Sequence, residues 1–126
     1  MGTTEGTERL VLDYRLNSGI AVVTVSGVVD VSTCGVFRDG LLRVVTDEGY
    51  RGLVVNLAGV NFIDSTGLGV LVGIWHRVRA TDFSMALAAP SSAARRILDT
   101  SGLTKAFSLY DTEVAAVQAC RPPDTI

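Results

Sequence analysis

Several residue types on which protein chemistry leans are scarce in this chain of 126 residues: one histidine, two cysteines, one tryptophan, three prolines and a single lysine, Lys105. Cys34 and Cys120 stand far apart and form no CxxC pair, so neither a disulfide framework nor a zinc site is indicated, and reduced cytoplasmic thiols are expected. With one lysine and no GxxxxGK[ST], a phosphate-binding loop of the nucleotide-hydrolase kind is excluded. Neither sign of charge dominates. A net charge of −2 and a pI near 5.2 offer no basic face to nucleic acid. The start of the chain lacks the basic region and apolar core of a signal peptide, and Gly6 stands where a myristoylation signal has Ser or Thr. The apolar share of 48% is too high for a disordered chain, and the 13 glycines follow no collagen-like period. The length suits one domain.

What is present is apolar and unevenly placed. Between Arg51 and His76 lie 24 residues with one formal charge, Asp64, a stretch long enough to span a bilayer. A carboxylate at the centre of a span costs about 2.5–3.5 kcal/mol. Asn56, Asn61, Ser65 and Thr66 make the middle of this stretch its most polar part, the reverse of a membrane helix. The stretch therefore reads as a buried strand, Leu53–Leu57, and an apolar helix containing Leu68–Trp75.

Residues 1–8 and 121–126 are small, polar or proline-rich and are expected to fray, leaving a domain over 9–119. Leu10, Leu12, Tyr14 and Leu16 alternate with Val11, Asp13 and Arg15, as in a half-exposed strand. Asn17-Ser18-Gly19 is turn chemistry, and Ile20–Val25 supplies an antiparallel partner. A helix follows, with Ser32 or Thr33 as its cap, Val36, Phe37, Leu41, Val44 and Val45 on one face, and Gly49 as a left-handed C-cap. Beyond the central strand and the helix after Asp64, a strand is predicted over Met85–Ala88. Next come a helix capped by Ser91 or Ser92 and ending at Gly102, an edge strand Leu109-Tyr110, and a helix capped by Asp111 or Thr112 that runs to about Cys120. The order β-β-α-β-α-β-α-β-α predicts one α/β domain with a mixed sheet, an N-terminal hairpin and about four packed helices, its later strands parallel.

The segment richest in chemistry is Asn61-Phe62-Ile63-Asp64-Ser65-Thr66-Gly67-Leu68-Gly69, which leaves a strand and opens a helix. Two readings stand. In one, Asp64 or Ser65 is an N-cap and Gly67 a close-packing residue. In the other, Ser65 is presented for modification, where the unpaired N–H groups and dipole of a helix start tolerate a phosphate and its added −1.5 to −2 charges, roughly. Catalysis fits poorly. A nucleophile elbow needs Gly where Ile63 stands, and His76 is roughly 16 Å along the helix from Ser65. Asp30, Asp64 and Asp99 form no evident dyad, and no enzyme, cofactor or metal is expected. Along the helix from Gly67 to about Arg79, Leu68, Leu71, Val72, Trp75 and Val78 form one stripe, widened by Val70 and Ile74. The helix is wedged between a sheet and neighbouring helices, or its first turn, with Gly67, Leu68, Gly69 and Val70, leaves an apolar patch for a protein partner, and the two readings are compatible if only that turn is exposed.

Val54-Val55-Asn56-Leu57 followed by Val60-Asn61-Phe62-Ile63-Asp64-Ser65-Thr66-Gly67-Leu68-Gly69-Val70-Leu71 resembles the core of the STAS domain of bacterial anti-sigma-factor antagonists. Gly27-Val28-Val29-Asp30, Pro90 with Arg95-Arg96, Ser101-Gly102-Leu103, and Tyr110-Asp111 with Glu113 extend the likeness over about residues 9 to 119. The resemblance implies a mixed sheet with helices packed around it. It implies that Ser65 is a phosphoacceptor, with Thr66 the second choice, for a serine-kinase anti-sigma factor that uses ATP. The unphosphorylated protein would bind that kinase and free a sigma factor, and a serine phosphatase would restore the phosphorylated form. Asp30, Ser32 and Thr33 would match a loop of the partner surface, together with Asp64, Thr66, Gly67, Leu68, Gly69 and Val70. No nucleic acid or membrane is implied, and a monomer or weak dimer in the cytoplasm is expected. Two departures stand out. Val28 replaces an acidic residue common in the family, and Thr81-Asp82-Phe83 replaces a Gly-Gly turn. The alternative is a STAS scaffold or regulatory subunit of a larger signalling complex or transporter.

Overall fold

Consecutive β-branched and leucine residues favour an extended strand with two apolar faces, and Leu53-Val54-Val55 lies within such a strand in the computed structural model, which describes residues 3–121. This strand, β4 (Gly52–Ile63), belongs to a six-stranded sheet whose spatial order follows the chain: β1 (Thr3–Gly6), β2 (Leu10–Asn17), β3 (Ile20–Val29), β4, β5 (Ser84–Ala88) and β6 (Leu109–Tyr110). β1, β2 and β3 pair antiparallel. β3 to β6 run parallel, joined by α1 (Cys34–Val45), α2 (Ser65–Val78) and α3 (Ser92–Ser101). A 3-10 turn over Leu103–Lys105 leads from α3 toward β6, and α4 (Glu113–Cys120) follows.

The two faces of the sheet are unequal. Leu10, Leu12, Val23, Val25, Leu53, Val55 and Leu57 point to one side and pack with Phe37 and Leu41 of α1, Leu71 and Ile74 of α2, and Leu98 of α3. All three crossover helices therefore lie on the same face. Ile20, Val22, Val54, Ala86 and Ala88 point to the other, where α4 alone covers them with Ala116, Val117 and Cys120. Glu113 at the start of α4 accepts from Arg15 of β2 and from Asn56 Nδ2 of β4 at 2.9 Å, which ties that helix across the sheet.

The 24-residue apolar stretch divides at Asp64 into β4 and α2, and no helix among the described residues is long and apolar enough to cross a membrane. The caps at Ser91 and Thr112 and the left-handed Gly102 (φ 76°) stand where their residue types place them. Three expectations are corrected. Thr3–Gly6 pairs with Val11–Tyr14 as β1, giving that backbone the partners it would lack if residues 1–8 frayed. From residue 122 onward, the fraying expected over 121–126 falls outside the described residues. β3 and β4 continue to Val29 and Ile63, because each supplies the ladder of the other past two register shifts. Finally, α1 ends at Val45 and not at Gly49. Thr46 Oγ1 returns to Leu42 O at 2.7 Å, and Asp47 Oδ1 accepts from Gly49 N at 2.7 Å, so an aspartate-centred turn replaces the glycine cap.

Candidate functional site

Parallel pairing of Val29 with Ile63 makes Asp30 and Asp64 leave the sheet side by side at the C-terminal ends of β3 and β4. The Asp64 amide donates to Val29 O at 3.2 Å, so one strand end holds the other. Asp64 has extended backbone (φ −111°, ψ −170°) and is the N-cap of α2. Its Oδ1 accepts from Thr66 N at 2.9 Å, Gly67 N at 3.3 Å and the Thr66 hydroxyl. These bonds, the Thr66 hydroxyl foremost, hold the Asp64 carboxyl below the usual carboxylate range, while partial burial and, less strongly, the charge of nearby Asp30 work against them. Replacing Asp64 by alanine removes the cap and is expected to cost about 1–2 kcal/mol, read by urea unfolding.

The two adjacent hydroxyls are thereby made unlike. Thr66 Oγ1 is engaged by Asp64, whereas Ser65, the first residue of α2, is exposed and its hydroxyl has no hydrogen bond among the described residues. Gly67 lets the helix start sit hard against the sheet: a Cβ there would lie 2.7 Å from both Ile63 Cγ1 and Val29 Cγ1. Overlap with two β-branched side chains costs about 1–3 kcal/mol and outweighs the gain of about 1 kcal/mol in helix propensity. Gly67→Ala is therefore expected to be destabilising in thermal unfolding.

Asp30 anchors the neighbouring loop. Its Oδ1 accepts from Ser32 N at 2.9 Å and Ser32 Oγ at 2.7 Å, and its Oδ2 accepts from Arg9 NH2 at 2.7 Å. Arg9 also reaches the Ser32 hydroxyl. The Ser32 hydroxyl, followed by the Arg9 guanidinium, pulls the Asp30 carboxyl down to about 2. The stability that this charge contributes is complete above the unfolded value of about 3.9 and is lost as pH falls toward the folded value. Between about pH 4 and pH 2, Asp30→Asn is expected to flatten the stability–pH curve, as measured by urea midpoints against pH.

Thr33 holds the N-cap position of α1 but does not cap it, since its Oγ1 accepts from Asp30 N at 2.9 Å and donates to Val28 O at 2.8 Å. It is only 2% exposed, so its place in a partner surface is corrected: the loop's own bonds use it up. Gly67 and Leu68 (7% exposed) are corrected likewise, being packed into the core, and of that turn only Gly69 and Val70 reach the surface. His76 is exposed, with its ring centroid 5.1 Å from that of Trp75. Sequence reasoning missed Arg9, whose tie to Asp30 spans 21 residues, and two bare apolar side chains at the same end, Val31 (75% exposed) and Phe62 (49% exposed). Among the described residues, no group of three or more His, Cys, Asp or Glu is placed to hold a metal ion.

The STAS domain family matches residues 12–116. The chain is 30% identical over 108 residues to an anti-sigma F factor antagonist of Paenibacillus polymyxa, covering 86% of this chain and 92% of the relative. The crystal structure of an anti-sigma factor antagonist from Mycobacterium paratuberculosis superimposes with a TM-score of 0.84 at 28% identity, covering 94% of this chain and all of that one. Bacillus SpoIIAA, an anti-sigma factor antagonist, shares the fold. Its unphosphorylated form gives a TM-score of 0.72 at 19% identity over 99% of this chain and 100% of that one. Its phosphorylated form gives 0.66 at 20% identity over 96% and 100%. The family match over most of the chain, the relative at 30% identity and the shared fold together place the chain, and it belongs to the STAS domain family.

Proposed function

We propose that this protein is an anti-sigma factor antagonist that binds a serine-kinase anti-sigma factor while Ser65 is unmodified, frees the sigma factor, and is released when Ser65 is phosphorylated. The observation that carries this reading is the contrast at the head of α2: Ser65 offers a free, exposed hydroxyl, while Asp64 and Thr66 are bonded to each other and to the helix backbone. The relatives named anti-sigma factor antagonists support the direction of the activity, and a related fold solved with and without phosphate supports the modification.

Chemically, Ser65 Oγ forms a bond to the γ-phosphorus of ATP as the bond from that phosphorus to the β–γ bridging oxygen breaks and ADP leaves. The hydroxyl proton must pass to a base of the kinase, because Asp64 is occupied as a cap. The product places about −1.5 to −2 charges beside two carboxylates that are already ionised. The helix start tolerates that charge through its N–H groups, whereas a partner surface matched to the unmodified site does not. A phosphatase acting on phospho-Ser65 returns the binding form.

Incubation with the cognate kinase and ATP, followed by peptide mass spectrometry, tests the reading. Phosphate on Ser65 alone is expected, with loss of incorporation in Ser65→Ala and retention in Thr66→Val. Modification of Thr66 in the unaltered protein, or equal kinase binding before and after phosphorylation, would overturn it.

A further inference from the structure

Helix α2 carries two glycines, Gly69 and Gly73, at which an added Cβ would meet no atom within 4 Å. Each costs the helix about 1 kcal/mol relative to alanine. Packing within the chain requires neither of them, in contrast to Gly67. They face a groove of about 420 Å³ between α1 and α2. Its apolar floor is made by Leu42, Val70 and Ile74, and it begins at Cys34 and Thr66. From Thr66 to Arg77 it follows α2 for roughly 16 Å, about three helical turns. Two guanidinium groups border it, Arg38 from α1 and Arg77 from α2, and no carboxylate lines it. Arg38 lies 3.7 Å from Asp39, an exposed neighbour on the same helix that does not line the groove.

We infer that this groove is a docking site for an acidic amphipathic helix of a partner protein. Three features select that occupant. The glycines four residues apart let another backbone approach α2 closely, as a helix requires. The apolar floor accepts one stripe of aliphatic side chains at i, i+4 and i+7 spacing. The two arginines, one on each wall, pair with carboxylates flanking that stripe and disfavour a basic segment. A second copy of this chain offers a poorer match, because its own groove presents Arg38 and Arg77 and no carboxylate. The groove adjoins the Ser65 site, since Thr66, Gly69 and Val70 line it, but its test uses a free peptide and no kinase, so it succeeds or fails independently of the proposed function.

A synthetic helical peptide of about 18 residues, with leucines at i, i+4, i+7 and i+11 flanked by glutamates, serves as the probe against purified, unphosphorylated protein. Its twin carries lysine for every glutamate. Amide NMR shifts locate binding, fluorescence anisotropy measures it, and the rate of Cys34 alkylation reports occupancy of the groove. Cys120 stays silent in that assay, being buried. The glutamate peptide is expected to shift Leu42, Gly69, Val70 and Gly73, to slow Cys34 alkylation several-fold, and to bind roughly tenfold tighter than its twin, less so in high salt. Arg38→Glu with Arg77→Glu should invert the preference between the peptides. Gly73→Leu should abolish binding while leaving the fold intact, since it fills open space. Equal affinity for both peptides, shifts away from α1 and α2, unprotected Cys34, or concentration-dependent shifts of the groove in the absence of peptide would each overturn the inference.

Discussion

Replacing Gly27 by alanine is expected to lower stability by about 2–6 kcal/mol, the sum of a backbone strain of about 1–3 kcal/mol and an overlap of similar size. Gly27 has φ +111°, a conformation that side-chain-bearing residues rarely adopt, and its Cβ would fall 2.1 Å from Arg9 O. That oxygen cannot swing aside, because it is main chain and accepts from Val28 N at 2.8 Å. The start of β2 must therefore part from the end of β3. For a domain of this size the loss corresponds to a fall in Tm of about 10 °C or more, measured by calorimetry. The damage should also be functional. Arg9 reaches Asp30 and Ser32 only because its backbone lies against Gly27, so the amides of Asp30–Cys34 are expected to exchange faster in the variant. Gly69→Ala is the matching control. With nothing near its Cβ, it should be neutral or stabilise α2 by up to about 1 kcal/mol.

Phosphorylation of Ser65 is expected to weaken kinase binding by about a hundredfold or more, while the Tm moves by only a few degrees. The two halves of this prediction have one origin. A phosphate at the first residue of α2 lies on the positive end of the helix, where an anion gains about 0.3–1 kcal/mol, offsetting repulsion from Asp64 and Asp30 within the fold. No such offset exists for a partner pressed against the same surface. Calorimetric scans and binding titrations of one phosphorylated sample check both at once. A large loss of stability accompanying the loss of binding would show that phosphate acts by unfolding the site. Ser65→Asp, with a single charge and fewer acceptor oxygens, should fall between the two states.

What the sequence revealed and what it hid divide along the distance over which the deciding interactions act. The end of α3 at Gly102 and a cap at Asp64 or Ser65 rest on contacts within three or four residues, and residue type is enough to read them that far; that Asp64 caps and Ser65 stays exposed needed the structure. The one-sided placement of the crossover helices was not legible, because the doubly apolar Leu53–Leu57 run implied only that both faces of the strand are covered. The role of Arg9 was not legible, because its partners Asp30 and Ser32 lie beyond the β2–β3 hairpin, and an exposed arginine next to a strand carries no mark of its contacts. Leu68 misled for a different reason: hydrophobic periodicity shows that a residue is apolar, but not whether its side of the helix meets the sheet or a partner. Gly49 misled because Asp47, two residues earlier, ends α1 first.

The bare side chains Val31 and Phe62 bear on which part of this surface is free to vary. Both stand at the rim of the serine site, yet neither takes part in the bonds that hold Asp30, Asp64 and Thr66 in place. Their identity can drift without disturbing the machinery that presents the hydroxyl. The presentation of the hydroxyl and the apolar surface beside it are therefore separable by substitution, one held by hydrogen bonds and the other by nothing within the described chain.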